Sequence, residues 1–279
     1  MSDAPHIVPT TTLLNGVEMP RLGLGTWPMN DDEAARAVAS ALDLGYRLVD
    51  TAENYGNEAG VGEGIKASSV PRDEVFVTTK FNRNWHSVAG ARQACEASLA
   101  RMGLDYIDLL LIHWPNPEQG AYVEAFDGIT RLVDAGLVRA AGVSNFKPHH
   151  LNELFEAGFT PAVNQIQIDP HHLRSEEVAI HREKGIVTEA WSPIGRAGDL
   201  LTEPAIKSAA QAHDKTPAQI VLRWHVQSGH VPAPKSADPT RQAENLDVFG
   251  FDLTDTEMQA LGALDRPDPN MLDADSFGH

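Results

Sequence analysis

Cysteine is nearly absent from this chain, since Cys95 is the only one among 279 residues. One thiol cannot form a disulfide within the chain, and so little cysteine is typical of proteins in a reducing compartment. Long apolar runs are also absent. No stretch approaches the roughly 20 residues needed to cross a bilayer, and Met1 to Thr12 contain no apolar signal-peptide core. We therefore expect a soluble, cytoplasmic protein without a membrane segment.

Basic residues are scarce: 22 lysines and arginines face 39 aspartates and glutamates, which gives a net charge of −17. A chain this acidic repels the phosphate backbone of nucleic acids and the anionic surface of membranes. The composition therefore argues against both as partners. A local basic patch remains compatible with binding of a small anionic cofactor.

Two glycine-rich nucleotide-binding motifs are missing, the G-x-G-x-x-G of Rossmann folds and the G-x-x-x-x-G-K-[ST] of phosphate loops. A nucleotide cofactor would therefore have to bind in another way.

The pairs of neighbouring histidines do not indicate a metal site. The pairs His149-His150 and His171-His172 lack the spacing of a helix-borne zinc site, and neighbouring side chains on a strand diverge. We expect no metal, and the absence of His-x-His at the end of the first predicted strand argues against a metal-dependent barrel hydrolase.

Short runs rich in valine, isoleucine and leucine alternate with amphipathic stretches along most of the chain. This alternation predicts strands and helices around a parallel sheet, and the length is close to the roughly 250 residues of a one-domain (β/α)8 barrel. The predicted strands are 21–25, 46–50, 75–80, 106–113, 138–143, 162–168, 186–191 and 230–234. Asp31 or Asp32 is the predicted N-cap of the first barrel helix. We therefore predict an α/β fold, a (β/α)8 TIM barrel that forms a single domain over residues 1–279.

Some segments are additional to the eight strand and helix units. Asn15-Gly16 predicts the turn of an N-terminal β-hairpin that caps the bottom of the barrel. Two extra helices are predicted to start at Thr216-Pro217 and at Leu253-Thr254. Residues 266–279 are rich in proline and aspartate and lack periodicity, which predicts a loop over the barrel mouth or a partly disordered tail.

Four polar residues lie at or just past the C-terminal ends of predicted strands: Asp50, Tyr55, Lys80 and His113. Reactive side chains gather at this rim in a (β/α)8 barrel. A tyrosine hydroxyl has a pKa of about 10, and a nearby ammonium such as that of Lys80 makes it a stronger acid by stabilising the phenolate. Asp50 would keep the ammonium charged, and His113 would donate a second hydrogen bond. The set suits protonation of an oxygen that gains negative charge, although Asp50 and Lys80 by themselves are equally compatible with a structural ion pair.

Hydride addition to a carbonyl produces such an oxygen, and the hydride must come from a cofactor because no side chain supplies one. A phosphate site commonly follows the last strands of a (β/α)8 barrel, at a helix N-terminus. There, Lys235, Ser236 and Arg241 are positioned to clamp a ribose 2′-phosphate, which would select NADPH over NADH. An adenine would lie near Glu244 and Asn245.

Three tryptophans at strand ends, Trp27, Trp85 and Trp114, are the predicted walls of a substrate pocket. Buried tryptophans are also common in ordinary cores, so packing is the alternative interpretation. As pocket walls they suit small or aromatic carbonyl compounds, such as a sugar-derived ketone or a methylglyoxal-like aldehyde.

A series of short motifs, in a fixed order, resembles one family. The motifs are GLGTW at 23–27, DTA at 50–52, YGNE at 55–58, TTK at 78–80, LIHWP at 111–115, GVSNF at 142–146, VNQ at 163–165, AWSP at 190–193 and PKS at 234–236. The chain resembles the aldo-keto reductase superfamily over nearly its whole length, and it is most similar to the bacterial 2,5-diketo-D-gluconate reductase-like group.

The resemblance implies a role for each matched position. The catalytic tetrad falls on Asp50, Tyr55, Lys80 and His113, with Tyr55 as general acid in reduction and general base in oxidation. Positions toward the nicotinamide carboxamide are Ser144, Asn145 and Gln165, and Trp191 is the ring that stacks on the nicotinamide. The pyrophosphate positions are Ser192, Ile194 and Gly195, and the adenosine 2′-phosphate positions are Lys235, Ser236, Arg241, Glu244 and Asn245. The resemblance also implies a monomer that reduces small carbonyl substrates with NADPH, yielding NADP+.

A second hypothesis keeps the fold and the cofactor but makes the protein a redox-sensing binding subunit without significant turnover, like barrel relatives attached to ion channels. An intact tetrad does not separate the two hypotheses, because such subunits can retain it. Co-elution with a stable partner from native lysate would support the binding subunit.

Overall fold

Eight short parallel strands form the centre of the molecule in a computed structural model that describes residues 8–195 and 198–279. Each strand pairs with its neighbours in sequence order. The strands are β3 (Gly23–Gly25), β4 (Leu48–Asp50), β5 (Phe76–Phe81), β6 (Ile107–Ile112), β7 (Val138–Ser144), β8 (Val163–Gln167), β9 (Val187–Trp191) and β10 (Val231–Pro232). The predicted eight-stranded α/β barrel is confirmed.

The sheet closes on itself where β3 meets the segment after β10. The backbone amide of Gly25 donates to the carbonyl oxygen of Pro234 at 3.1 Å, and Gly25 and Lys235 form a parallel bridge. A Cβ atom on Gly25 would lie 2.7 Å from the carbonyl oxygen of Ala233, so glycine permits this close approach. The closure brings Lys235 to the same rim as the ends of the first strands.

The predicted N-terminal hairpin is present as an antiparallel pair, β1 (Thr10–Thr12) and β2 (Glu18–Pro20). Leu13 and Met19 of the hairpin pack against Leu48, Phe76 and Leu109, which point into the barrel from three strands. The hairpin therefore caps the bottom of the barrel, opposite the C-terminal ends of the strands.

Helices surround the barrel, and most of them bury their apolar faces against the outer side of the strands. They are α1 (Asp31–Leu44), α2 (Glu58–Ala67), α3 (Val88–Met102), α4 (Tyr122–Asp134), α5 (Pro148–Glu156), α6 (Ser175–Lys184), α7 (Pro204–His213), α8 (Pro217–Gln227), α9 (Pro239–Leu246) and α10 (Asp255–Gly262). Helices α7 and α10 instead pack together in a separate apolar cluster. None of the helices in the described part of the chain is both long and apolar enough to cross a membrane.

Helix starts follow capping chemistry, with one difference from prediction. Thr216 and Thr254 cap α8 and α10 with reciprocal capping boxes, which confirms both predicted starts. The predicted cap of α1 at Asp31 or Asp32 is wrong, since Asn30 accepts the backbone amide of Glu33 at 2.9 Å. Asp31 instead accepts the backbone amide of Gly60 at 2.7 Å, a tertiary contact that local sequence does not encode.

The packing of α2 on α3 gives a test of the fold. A Cβ atom on Gly62 would overlap the carbonyl oxygen of Met102, and backbone cannot move aside as a flexible side chain does. We expect Gly62→Ala to lower the free energy of unfolding by about 1–3 kcal/mol in urea titrations. Gly250→Ala is the matched control, because nothing lies within 4 Å of the added methyl group, and it should change stability far less.

Candidate active site

A buried lysine lies at the centre of the predicted tetrad. Lys80 Nζ donates to Asp50 Oδ1 at 2.7 Å, to Asp50 Oδ2 at 2.9 Å and to the carbonyl oxygen of Thr51 at 2.9 Å. It also donates to the hydroxyl of Tyr55 at 3.3 Å. Asp50 ends β4 and Lys80 lies on the neighbouring strand β5, so parallel pairing brings both to one rim. Burial lowers the pKa of Lys80, but the Asp50 carboxylate and the Tyr55 hydroxyl outweigh it, and the net shift is upward. The ammonium therefore stays charged.

Tyr55 and His113 face each other beside this ammonium. Tyr55 ends a short 3-10 turn, Glu53–Tyr55, and its ring meets the His113 ring edge-on with centroids 5.9 Å apart. Burial raises the pKa of Tyr55, and Lys80 opposes that rise. Burial, Lys80 and His279 together hold the pKa of His113 well below its usual value. The imidazole is therefore neutral at physiological pH, and one ring nitrogen carries a proton that it can donate.

Side-chain amides extend this network across the barrel. Gln165 Nε2 on β8 donates to Asp50 Oδ1 at 2.8 Å, and the Ser144 hydroxyl donates to the carbonyl oxygen of Gln165 at 2.8 Å. Asn145 donates to the carbonyl oxygen of His113 at 3.1 Å and accepts from Trp191 Nε1 at 2.9 Å. These bonds fix the side chains that the resemblance assigns to the nicotinamide end.

A cavity of about 420 Å³ opens at this rim. Its lining contains three residues of the tetrad, all four of the predicted nicotinamide end, one predicted pyrophosphate position, Lys235 and two of the three predicted pocket tryptophans. They are Asp50, Tyr55, His113, Ser144, Asn145, Gln165, Trp191, Ser192, Lys235, Trp27 and Trp114. Lys80 lies beneath, with only 1% of its surface exposed. The fold thus gathers residues from most of the strand ends around one cavity.

Other predicted residues lie outside the cavity lining. Trp85 is one of them, since its indole nitrogen donates to Glu53 Oε1 at 2.9 Å and its ring packs on the core. Ile194 packs against core clusters, and Gly195 directly precedes residues 196 and 197, which are not described. The pyrophosphate role of these two residues remains a prediction.

The predicted adenosine end lies at the start of α9. Lys235, Arg241 and Glu244 are exposed, whereas Ser236 and Asn245 are buried. Neither Lys235 nor Arg241 forms an ion pair with another described residue, so two cations are available near one helix N-terminus. The carboxylate of Asp238 accepts the amides of Thr240 and Arg241, so this helix end already holds one anionic group.

Sequence reasoning missed several residues of the cavity. Asn54, Leu272, Phe277 and His279 also line it. The His279 ring lies 4.8 Å from that of His113, and the Phe277 ring 4.7 Å from that of Trp114. A loop over the barrel mouth was one of the two predictions for residues 266–279, but it did not specify which side chains reach the cavity, because a tail without periodicity has no register from which its contacts can be predicted.

Hydrogen bonds between the tail and α5 explain one of the histidine pairs. His149 and His150 do not diverge, because they lie in the first turn of α5, where both Nε2 atoms approach Asp275 Oδ1, at 2.9 Å and 3.1 Å. The predicted divergence of the two side chains is therefore wrong, since their ring centroids lie 4.0 Å apart on a helix. However, His150 Nδ1 accepts the backbone amide of Lys147 at 3.1 Å, which leaves the proton of the neutral ring on Nε2. His149 Nε2 is hydrogen-bonded to Asp275, whereas His150 Nε2 lies near the same carboxylate without a hydrogen-bond partner in the described part of the chain.

The second pair, His171-His172, also lies among carboxylates. His171 Nε2 is 2.9 Å from Glu203 Oε1, and His172 Nδ1 is 3.1 Å from both carboxylate oxygens of Asp169. Arg266 donates to Asp199 at 2.6 Å beside His171, so a cation already neutralises that acidic group.

Known proteins with similar sequences belong to the family that the motifs around this cavity indicate. The chain matches the family model of the aldo/keto reductase family over residues 21–266. An aldo-keto reductase of Mycolicibacterium vanbaalenii is 48% identical over 268 residues, which cover 94% of this chain and 96% of that protein. The 2,5-diketo-D-gluconic acid reductase B of a Corynebacterium species is 48% identical over 260 residues, covering 93% and 94%.

Solved structures that resemble this fold also include aldo-keto reductases. The crystal structure of a Gox0644 mutant in complex with NADPH has a TM-score of 0.91 and 41% identity, covering 96% of this chain and 98% of that one. The family predicted from the motifs is confirmed. The chain belongs to the aldo/keto reductase family, whose members are NADP(H)-dependent oxidoreductases.

Proposed function

We propose that this protein reduces aldehydes or ketones to alcohols with NADPH, and that Tyr55 is the general acid. The observation that carries the proposal is the contact of 3.3 Å between Lys80 Nζ and the Tyr55 hydroxyl at the edge of a cavity. A phenol that donates its proton leaves a phenolate, and an adjacent ammonium stabilises that charge.

The other polar groups have separate tasks in this proposal. The neutral imidazole of His113 donates to the carbonyl oxygen and orients it toward the Tyr55 hydroxyl. Asp50 holds the ammonium of Lys80 in place through both carboxylate oxygens, and Gln165 in turn orients Asp50. As negative charge develops on the substrate oxygen, Tyr55 transfers its proton to that oxygen. NADPH, when bound, supplies the hydride that the carbonyl carbon accepts.

The residues around the cavity fit this cofactor. Trp191 offers a partly exposed aromatic surface whose orientation is fixed by its hydrogen bond to Asn145. Lys235 and Arg241 are cations that no described ion pair neutralises, and they lie beside an exposed helix start, as a ribose 2′-phosphate requires. The net charge of −17 repels anions from most of the surface, so a local pair of cations is needed where an anionic ligand binds.

The substrates we propose are small carbonyl compounds. Aromatic rings of Trp27, Trp114 and Phe277 line a cavity of about 420 Å³, which lies in the range of small-molecule sites. The test is consumption of NADPH, followed by absorbance, with a panel of sugar-derived ketones, 2-oxoaldehydes and aromatic aldehydes. Stoichiometric alcohol formation supports the proposal. Failure of every carbonyl class to oxidise NADPH, with tight NADPH binding intact, would favour the binding-subunit hypothesis.

Removal of one cation tests the assignment of the 2′-phosphate. We expect Arg241→Ala to raise the KM for NADPH by about 10- to 100-fold, because a charge-assisted hydrogen bond contributes about 1.5–3 kcal/mol. The KM for NADH should change little, since NADH lacks the 2′-phosphate. Arg92→Ala, which removes an exposed arginine of α3 that pairs with Glu96, is the control and should leave both constants unchanged. Equal loss of affinity for both cofactors would contradict the assignment.

A further inference from the structure

A carboxyl group that the proposed mechanism does not use points into the barrel from β9. Its neighbours on the strand point outward: the Thr188 hydroxyl is 2.8 Å from His181 Nδ1 on α6, and Ala190 packs with Ile166 and Val178. Because side chains alternate along a strand, Glu189 points to the interior. Its strand partner in the register is Gln165, the residue that donates to Asp50.

Glu189 is completely buried, and neither carboxyl oxygen has a hydrogen-bond partner in the described part of the chain. An ionised carboxylate without hydrogen bonds is very unfavourable in such a place, whereas a protonated one is tolerated more easily. Burial, reinforced by the Asp50 carboxylate and opposed by Lys80 and by the neighbouring Gln165 amide, raises the pKa of Glu189 to about 8. The group is therefore neutral at pH 7.

The charged and titratable groups that interact with Glu189 belong to the proposed catalytic tetrad. The charges of Asp50 on β4 and Lys80 on β5 act on Glu189, and Glu189 in turn acts on the Tyr55 hydroxyl. His113 at the end of β6 is neutral. The Asp50 and Lys80 charges cancel, so ionisation of Glu189 would leave one net negative charge below Tyr55.

We propose that Glu189 is a positioning residue that stays protonated in the working enzyme and thereby keeps Tyr55 acidic. While it is neutral, it adds no negative charge to that of Asp50, and Lys80 stabilises the Tyr55 phenolate. Once it ionises, the added negative charge disfavours the phenolate and holds the proton on Tyr55. This inference rests on the proposed role of Tyr55 and adds a residue that controls it.

The protonation state can be tested without measuring activity. The folded protein holds a proton on Glu189 that the unfolded chain releases above its ordinary glutamate pKa of about 4.3. The free energy of unfolding of the wild type should therefore fall as pH rises from about 5 to 8. Glutamine does not titrate, so this contribution to the fall is absent in Glu189→Gln. We expect the Tm of Glu189→Gln relative to wild type to increase steadily across this range.

Glu63→Gln, which changes an exposed glutamate of α2, is the matched control and should show no such trend. A pH-independent difference between Glu189→Gln and wild type would overturn the protonation of Glu189. So would failure of Glu189→Gln to fold while Glu189→Asp folds, because glutamine is the closest neutral replacement for a protonated glutamate.

The coupling to Tyr55 is tested by the pH profile of carbonyl reduction. Near pH 6, Glu189→Gln should retain kcat within about twofold, since both side chains are neutral. At high pH, the variant lacks the negative charge that holds the proton on Tyr55, so the alkaline fall of kcat should shift to lower pH by about half a unit or more. An unshifted profile, or equal loss of kcat at every pH, would overturn the coupling.

The two tests separate this inference from the proposed function. If replacement of Tyr55 leaves turnover intact, the proposed function fails even when the Tm trend is present. If Tyr55 is essential but neither the Tm trend nor the profile shift is found, only the role of Glu189 fails.

Discussion

Tyr55→Phe should abolish nearly all carbonyl reduction while leaving NADPH bound. The substitution removes one oxygen and keeps the ring that lies edge-on to His113. Without the hydroxyl, no group lies between the Lys80 ammonium and the substrate oxygen to deliver a proton. General acid catalysis contributes about 10²- to 10⁴-fold, so we expect kcat to fall by that factor in steady-state assays with saturating substrate.

Binding measurements separate chemistry from structure in this experiment. The NADPH Kd, from fluorescence titration, should stay within about threefold of wild type because Tyr55 is not among the residues proposed to hold the cofactor. Tyr106→Phe is the matched control, since its hydroxyl only approaches the carbonyl oxygen of Arg72 at 3.4 Å, before the start of β6. Near wild-type turnover of Tyr55→Phe would contradict the mechanism.

Lys80→Met should have an effect of similar size on turnover, for a different reason. The Tyr55 hydroxyl stays in place but loses the ammonium 3.3 Å away, so its phenolate is no longer stabilised. Burial already raises the pKa of Tyr55, and removal of the opposing charge raises it further. We expect kcat to fall by about 10²- to 10⁴-fold, measured at the same saturating substrate.

This substitution also leaves the buried Asp50 carboxylate without its cation, and loss of one member of a buried pair costs about 3–5 kcal/mol. The double variant Asp50→Asn with Lys80→Met removes both charges and should recover much of that stability in chemical unfolding. It should not recover turnover. Recovery of both would mean that Lys80 acts only through stability, and high activity of the single variant would refute its role.

The elements of the barrel were predictable because their signals are local. Alternating apolar runs define the strands, and Asn15-Gly16, Thr216-Pro217 and Thr254 mark a turn and two helix starts through contacts within a few residues. Parallel topology then places the ends of all strands at one rim, so Asp50 and Lys80 could be expected to meet before any distance was known. The motifs added the family, which the comparisons confirm.

The environment of individual side chains was less predictable. Trp85, a predicted pocket wall, donates to Glu53 instead, and Asp31 contacts the amide of Gly60 rather than capping its own helix. His149 and His150 converge on Asp275, more than 120 residues away along the chain. Each of these contacts involves a partner distant in sequence that no periodic pattern specifies.

The sequence by itself determined the barrel, its capping hairpin and the four polar residues at strand ends, because strand periodicity, turn chemistry and parallel pairing all act between near neighbours. Only the tertiary structure decided that Gln165 bonds to Asp50 across the barrel, that Glu189 is buried beside that pair without a hydrogen-bond partner, and that Phe277 and His279 line the cavity. The reason is physical: contacts across the barrel depend on strand register and on the packing of segments far apart in the chain, and neither is written in any single stretch of residues.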